Sequence, residues 1–158
     1  MKGSLPKIMS ISQTISSMPL FRDLSPEVTA KLGDLSILQK YQANDVIFRE
    51  GGRADQVHFL VSGSVALKVK IMTKPDSVTV SYIGKAYDCF GWSGLVSPHY
   101  YTASAICEEE SEVLLINGEE LLRLLQQYPA DGFLVMHRVA NLVSDRLRNS
   151  RQALIKTM

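Results

Sequence analysis

The stretch Val65-Ala66-Leu67-Lys68-Val69-Lys70-Ile71 decides how this chain folds. Val65, Leu67, Val69 and Ile71 alternate with Ala66, Lys68 and Lys70, a period of two that sends each set to one face of an extended strand. Lys74-Pro75-Asp76 then supplies a turn, and Val78, Val80 and Tyr82 resume the same period. Outward from this hairpin, short alternating or solidly apolar stretches fill Ser36 to Ile116, punctuated at Asn44-Asp45, Gly51-Gly52, Ser62-Gly63 and Gly84. So many short strands at even spacing predict an antiparallel sandwich or barrel.

Both flanks change to a helical period. Ile8, Met9, Ile11, Ile15 and Met18 recur at three and four residues, which predicts an amphipathic helix between Pro6 and Met18 that docks on the body. Its polar face has almost no Lys or Arg to hold lipid headgroups. Ser25-Pro26-Glu27 opens a second helix, with Ser as N-cap and Pro at the first helical position, running to about Gly33. Asn117 with Glu120 three residues later forms a capping box for a helix through Leu121, Leu122, Leu124 and Leu125, which Pro129 ends. From Ala130 to about Ile155 a long helix places Met136, Val139, Val143, Leu147, Ser150 and Leu154 on one stripe near heptad spacing. The stripe predicts a seam with a second copy of the chain, the alternative being a helix packed on its own barrel. Arg138, Arg146, Arg148, Arg151 and Lys156, against Asp145, read as its solvated face.

With 158 residues, 46% apolar and 21% charged, the composition is that of one globular domain rather than a disordered chain. The 17 basic and 16 acidic residues leave a formal charge of +1, so any anion site is local rather than a global basic surface. No apolar run reaches the roughly 20 residues of a membrane span, and the first 20 residues do not form a secretory signal. A cytoplasmic protein is expected, with Cys89 and Cys107 as free thiols.

No enzyme chemistry gathers in the sequence. His58, His99 and His137 lie on a strand, a loop and a helix, at no metal-ligand spacing, so no metal site is expected. No P-loop, nucleophile elbow or dinucleotide fingerprint occurs, and Glu108-Glu109-Glu110 reads as a solvated turn. The informative run is Asp88-Cys89-Phe90-Gly91-Trp92-Ser93-Gly94-Leu95, where two glycines allow close backbone approach and a strand gives way to a helical turn. The amides of such a turn form a cradle for an anion.

Val46-Ile47-Phe48-Arg49-Glu50-Gly51, and then Ala54-Asp55-Gln56-Val57-His58-Phe59-Leu60-Val61-Ser62-Gly63-Ser64-Val65, resemble the front half of a cyclic nucleotide-binding domain. Phe90-Gly91, Leu95 and Thr102-Ala103 fall where that family carries its phosphate-binding cassette, Leu20 to Ser25 resemble its entry segment, and the helices after Asn117 resemble its last two. The resemblance implies a mainly β fold with flanking helices: a jelly-roll barrel, N-terminal helices and a long C-terminal helix. It further implies a helical extension over 1–19 and a cyclic nucleotide-binding-like domain over 20–158 that includes the dimerisation helix. In the family a Glu holds the ribose hydroxyl and an Arg the cyclic phosphate; here Trp92 and Tyr101 occupy those positions. Losing one side of a buried charged pair costs about 2 to 5 kcal/mol, which puts ordinary cyclic AMP or cyclic GMP sensing in doubt.

The expected binding residues are therefore Phe90, Gly91, Trp92, Ser93, Gly94, Leu95, Tyr101, Thr102 and Ala103, and the expected dimer helix uses Met136, Val139, Val143, Leu147 and Leu154. With Tyr100, the rings of Trp92 and Tyr101 either stack on a small anionic or aromatic ligand, a cyclic nucleotide included, or fill the pocket. Arg49 and Arg53 are candidate sources of charge. The chain reads as a non-enzymatic regulatory domain, homodimeric, with a separate protein as candidate partner. No recognition helix has room after Met158, so direct DNA binding is not expected.

Overall fold

The computed structural model describes residues 11–156. Helix α1 (Ile11–Ser17) is followed by a 3-10 turn at Pro19–Phe21 and by α2 (Pro26–Leu35). Eight strands come next: β1 (Ser36–Tyr41), β2 (Val46–Phe48), β3 (Gln56–Ser62), β4 (Val65–Val69), β5 (Val78–Ile83), β6 (Cys89–Phe90), β7 (Ser104–Cys107) and β8 (Ser111–Asn117). Helices α3 (Gly118–Gln127) and α4 (Pro129–Lys156) close the chain. The strands form two antiparallel four-stranded sheets, ordered β1-β8-β3-β6 and β2-β7-β4-β5. This is the expected jelly-roll barrel flanked by helices.

Strands β3 and β8 are central, and their period of two builds two cores. Val57, Phe59, Leu114 and Ile116 face the helices and join Ile15, Met18, Phe21, Leu32 and Leu121. Leu60, Val113 and Leu115 face into the roll with Val65, Leu67, Val80 and Phe90. A strand covered on both faces reads as a continuous apolar run, which is why Val113 to Ile116 shows no alternation. The alternation around Val65 ends sooner than its sequence does, since β4 stops at Val69 and leaves Ile71 in the following turn.

Ile15 and Met18 of the first helix are fully buried, Ile11 is part-exposed, and Ile8 and Met9 lie outside the described residues. Ser25 caps α2, its Oγ accepting from the Val28 amide at 3.4 Å. Gly33 does not end that helix, which continues to Leu35. Asn117 caps α3 through the Glu120 amide at 2.9 Å, and Pro129 both ends the run and starts α4, where its missing N–H is no loss.

Along the 28-residue α4 the residues of the expected stripe differ in burial. Val135 and Val139 are buried in the chain's own core, and Met136, Leu142, Leu154 and Ala153 are half-buried against the body. Arg146 and Ser150 continue that inward face. Val139 is thus buried and Met136 and Leu154 half-buried within the chain, while Val143 and Leu147, one and two turns beyond Val139 on the flank of the same stripe, stay exposed. Phe133, Val143, Leu147 and Ile155 are 74%, 37%, 66% and 60% exposed.

Candidate functional site

The site forms where β6 leaves the sheet. Phe90 pairs with His58 of β3, Gly91 turns left-handed with φ of 68°, and Trp92–Gly94 make one 3-10 turn. A side chain at Gly91 would meet His58 Nδ1 at 2.6 Å and the Phe48 ring at 2.9 Å, so position and φ both require glycine. A Cβ at Gly94 would lie 2.7 Å from the Gln56 carbonyl oxygen, and one at Gly118 would lie 2.0 Å from the Gly94 oxygen. The backbones of Gln56, Gly94 and Gly118 pack closely there. Within the turn Leu95 N donates to Trp92 O at 2.8 Å and Val96 N to Ser93 O at 3.3 Å.

Tyr101 seals the roll from the opposite wall. It is only 8% exposed, stacks on Phe48 with centroids 3.8 Å apart and planes at 11°, and donates its hydroxyl to the Gln56 carbonyl at 3.2 Å. Burial pushes the phenol up to about 12, so it remains a neutral donor. His58 completes the ring cluster, stacked on Phe90 at 5.3 Å. Burial pulls its imidazole down to about 3, which keeps the ring neutral, and its Nδ1 has no hydrogen-bond partner.

A cavity of about 80 Å³ remains between these walls, bounded by Gly91, Trp92, Ser93, Tyr101, Thr102, Ala103, Phe48, three apolar residues of β4 and β5, and Arg146 and Ser150 of α4. Pockets that enclose a drug-sized ligand run from about 300 Å³ upward, so this cavity does not enclose a whole cyclic nucleotide. Phe90 faces the ring cluster instead, and Gly94 and Leu95 pack into the body. Tyr100 is half-exposed. Arg49 and Arg53 line a separate open cleft of about 370 Å³ beyond Phe48 and Tyr101, where Arg53 pairs with Asp55 at 3.1 Å.

Charge reaches the cavity from an unexpected direction. Arg146, which the sequence places on a solvated face, lies over the Trp92 ring at 4.7 Å and donates Nη2 to the Cys89 carbonyl at 3.2 Å. Its other terminal nitrogen, Nη1, is buried with no partner. The signal in the sequence was the spacing Val139, Leu142, Arg146, Ser150, three or four residues apart on one face. Among the described residues no group of three His, Cys, Asp or Glu side chains could hold a metal ion, and no helix is long and apolar enough to cross a membrane.

Residues 38–128, which include the cassette turn and most of the roll, match the family described as the cyclic nucleotide-binding domain. The chain belongs to that family. The cyclic AMP receptor protein of Thermus thermophilus is 30% identical over 134 residues, 84% of this chain and 58% of that protein. A cGMP-dependent protein kinase of Drosophila melanogaster, isozyme 2 forms cD5/T2, is 29% identical over 127 residues, 79% of this chain and 14% of the kinase. The chain therefore spans a minor part of the kinase and just over half of the receptor. Among solved structures, the Thermus thermophilus catabolite activator protein superposes with a TM-score of 0.70 at 27% identity, covering 88% of this chain and 62% of that one. A cyclic nucleotide-binding domain from Methylobacillus flagellatus reaches 0.76 at 20% identity, covering 94% and 82%, a likeness of fold.

Proposed function

We propose that this chain is a non-enzymatic regulatory domain whose cassette senses a compact ligand and passes its state to the long helix α4. The observation that carries the reading is Arg146, a helix residue that lines the cassette cavity, stacks on Trp92 and holds the Cys89 carbonyl at once. Any ligand that repacks Trp92 must displace Arg146 or draw it in, and either motion biases α4. Trp92 and Tyr101 replace the family's two polar anchors, and the cavity is a fraction of a nucleotide's size. Cyclic AMP and cyclic GMP, the ligands that the relatives' names carry, are for these reasons not its expected ligands.

The output surface of this reading is the outward face of α4, where Phe133, Val143 and Leu147 stand exposed and suit a second copy. Leu147→Asp removes that face without touching the core, and sedimentation is expected to change from dimer to monomer. A dimer that survives the substitution refutes this seam.

Trp92, the single tryptophan, reports the cassette directly. Titration with cyclic AMP and cyclic GMP is expected to leave its emission unchanged to about 1 mM, the weak limit near 4 kcal/mol of binding, while mass spectrometry of protein released from its host shows a smaller bound species. Saturation by a cyclic nucleotide at micromolar concentration overturns the first expectation. A second reading is supported by the small cavity itself: a collapsed pocket in a module that only dimerises or docks on a protein partner. Protein released with no bound species and no Trp92 response to any solute favours that reading.

A further inference from the structure

We propose that Arg146 of α4 is the anion-binding residue of this cassette, and that its ligand class is a compact oxyanion, an inorganic phosphate or a small carboxylate. The inference rests on the reading that the cassette cavity takes a ligand, and it names the residue and the chemistry.

The guanidinium stays protonated under all ordinary conditions and offers five N–H donors in a flat fork. One terminal nitrogen is matched to the Cys89 carbonyl at 3.2 Å, and one face is covered by Trp92. Nη1 is out of reach of water and donates to nothing. The neighbouring carboxylates do not complete it: Asp88 and Asp145 act on it only through their fields, and Asp145 is bonded to Arg148 at 3.0 Å. A buried N–H of a cation left without an acceptor is costly, and an anion that accepts from it offsets that cost.

The surroundings decide which anion. Ser93, Thr102 and Ser150 bring hydroxyls to the same cavity, while Phe48, Trp92 and Tyr101 supply apolar walls. About 80 Å³ admits a tetrahedral or planar oxyanion of a few heavy atoms and excludes a base and sugar. Arg146 lines this space, and a two-oxygen ligand placed there would accept from the fork as carboxylates and phosphates do. The charge that the family delivers from the cassette would here come from the helix, so binding and movement of α4 become one event.

The test follows Trp92 emission in the full chain at fixed ionic strength while chloride is replaced by phosphate or by acetate, with uncharged adenosine as a third arm. Saturable change with phosphate or acetate, weakened roughly thirtyfold or more in Arg146→Met and partly retained in Arg146→Lys, is the expected result. Preference between the two anions separates a phosphate from a carboxylate ligand. An unchanged anion response in Arg146→Met overturns the role of Arg146 and leaves the cassette reading standing. A response to adenosine alone overturns the anion class and keeps a ligand in the pocket. No response in any arm removes the inference and the ligand-sensing reading together. Should Arg146→Met fail to fold, Arg146→Lys carries the comparison, since losing the planar fork while keeping the charge is still expected to weaken binding.

Discussion

Arg138 and Arg146 lie eight residues apart on one helix and meet opposite fates. Arg138 donates Nη1 to the carbonyls of Leu20 and Arg22, at 3.2 and 2.6 Å, with the Asp23 carboxylate 3.8 Å away. Around it Ser25 donates its hydroxyl to Asp131 at 2.8 Å, and Tyr128 donates to Glu27. The helical base is stitched by groups that find partners. At the other end of α4, Arg146 makes one hydrogen bond and keeps one buried nitrogen idle, and the neighbouring cluster holds His58 with an idle Nδ1. Those are the two buried side-chain nitrogen or oxygen atoms left without a partner among the described residues, and both belong to the cassette side. A satisfied network fixes geometry, whereas a half-satisfied one has something to gain from rearranging or from a ligand. The difference separates an anchor from a responsive end.

The largest expected effect tests the cassette end through pH. His58 is held neutral by burial, with a folded value of about 3 against 6.5 in the unfolded chain. Between those values the unfolded state takes up a proton that the folded state refuses, so stability is complete above 6.5 and falls as pH drops toward 3. The slope is about 1.4 kcal/mol per pH unit, or roughly 3 kcal/mol between pH 6.5 and 4.5. Urea unfolding of His58→Phe, whose ring suits the contacts with Phe48 and Phe90, is expected to lack this segment of the acid limb. Identical acid limbs in both proteins would show that His58 is already protonated or reached by water in the fold. Next comes the base: Arg138→Ala leaves two carbonyls without a charged donor and is expected to cost about 2 kcal/mol in the same assay. A loss below a few tenths of a kcal/mol would dissolve the contrast between anchor and responsive end.

The barrel was legible because strand physics is local. Alternation at Val65 to Val69, the turn at Pro75-Asp76 and the capping pair Asn117 and Glu120 each act within a few residues, and each stands in the structure where the residues put it. The cassette wall was legible in part: Trp92, Ser93, Tyr101, Thr102 and Ala103 do line one cavity. What stayed hidden depends on contacts across long separations. Gly118 is a glycine because it faces the Gly94 backbone, a reason no local pattern displays. Arg146 hid for a second reason: a lone basic residue on a helix is usually solvated, and only the barrel behind it turns that position inward. Likewise the rotation of α4 could not be chosen while Val139 and Val143 satisfied the same stripe, one buried and the other 37% exposed.

The smallest expected effect is also the sharpest on the comparison. Arg146→Met retains an unbranched chain over Trp92 and deletes the charge, so it removes one hydrogen bond to Cys89 together with the burden of a buried nitrogen that has no acceptor. Replacing a poorly compensated buried charge by an apolar group of similar volume is often neutral or stabilising. In ligand-free buffer the variant is expected within about 1 kcal/mol of the parent chain, on either side, against the clear loss at Arg138. Thermal unfolding of both variants in parallel reads the contrast, with Trp92 emission as an internal control that the cassette contact has changed. Equal destabilisation of the two would make Arg146 a second anchor, and α4 would then be fixed along its whole length with no end free to answer a ligand.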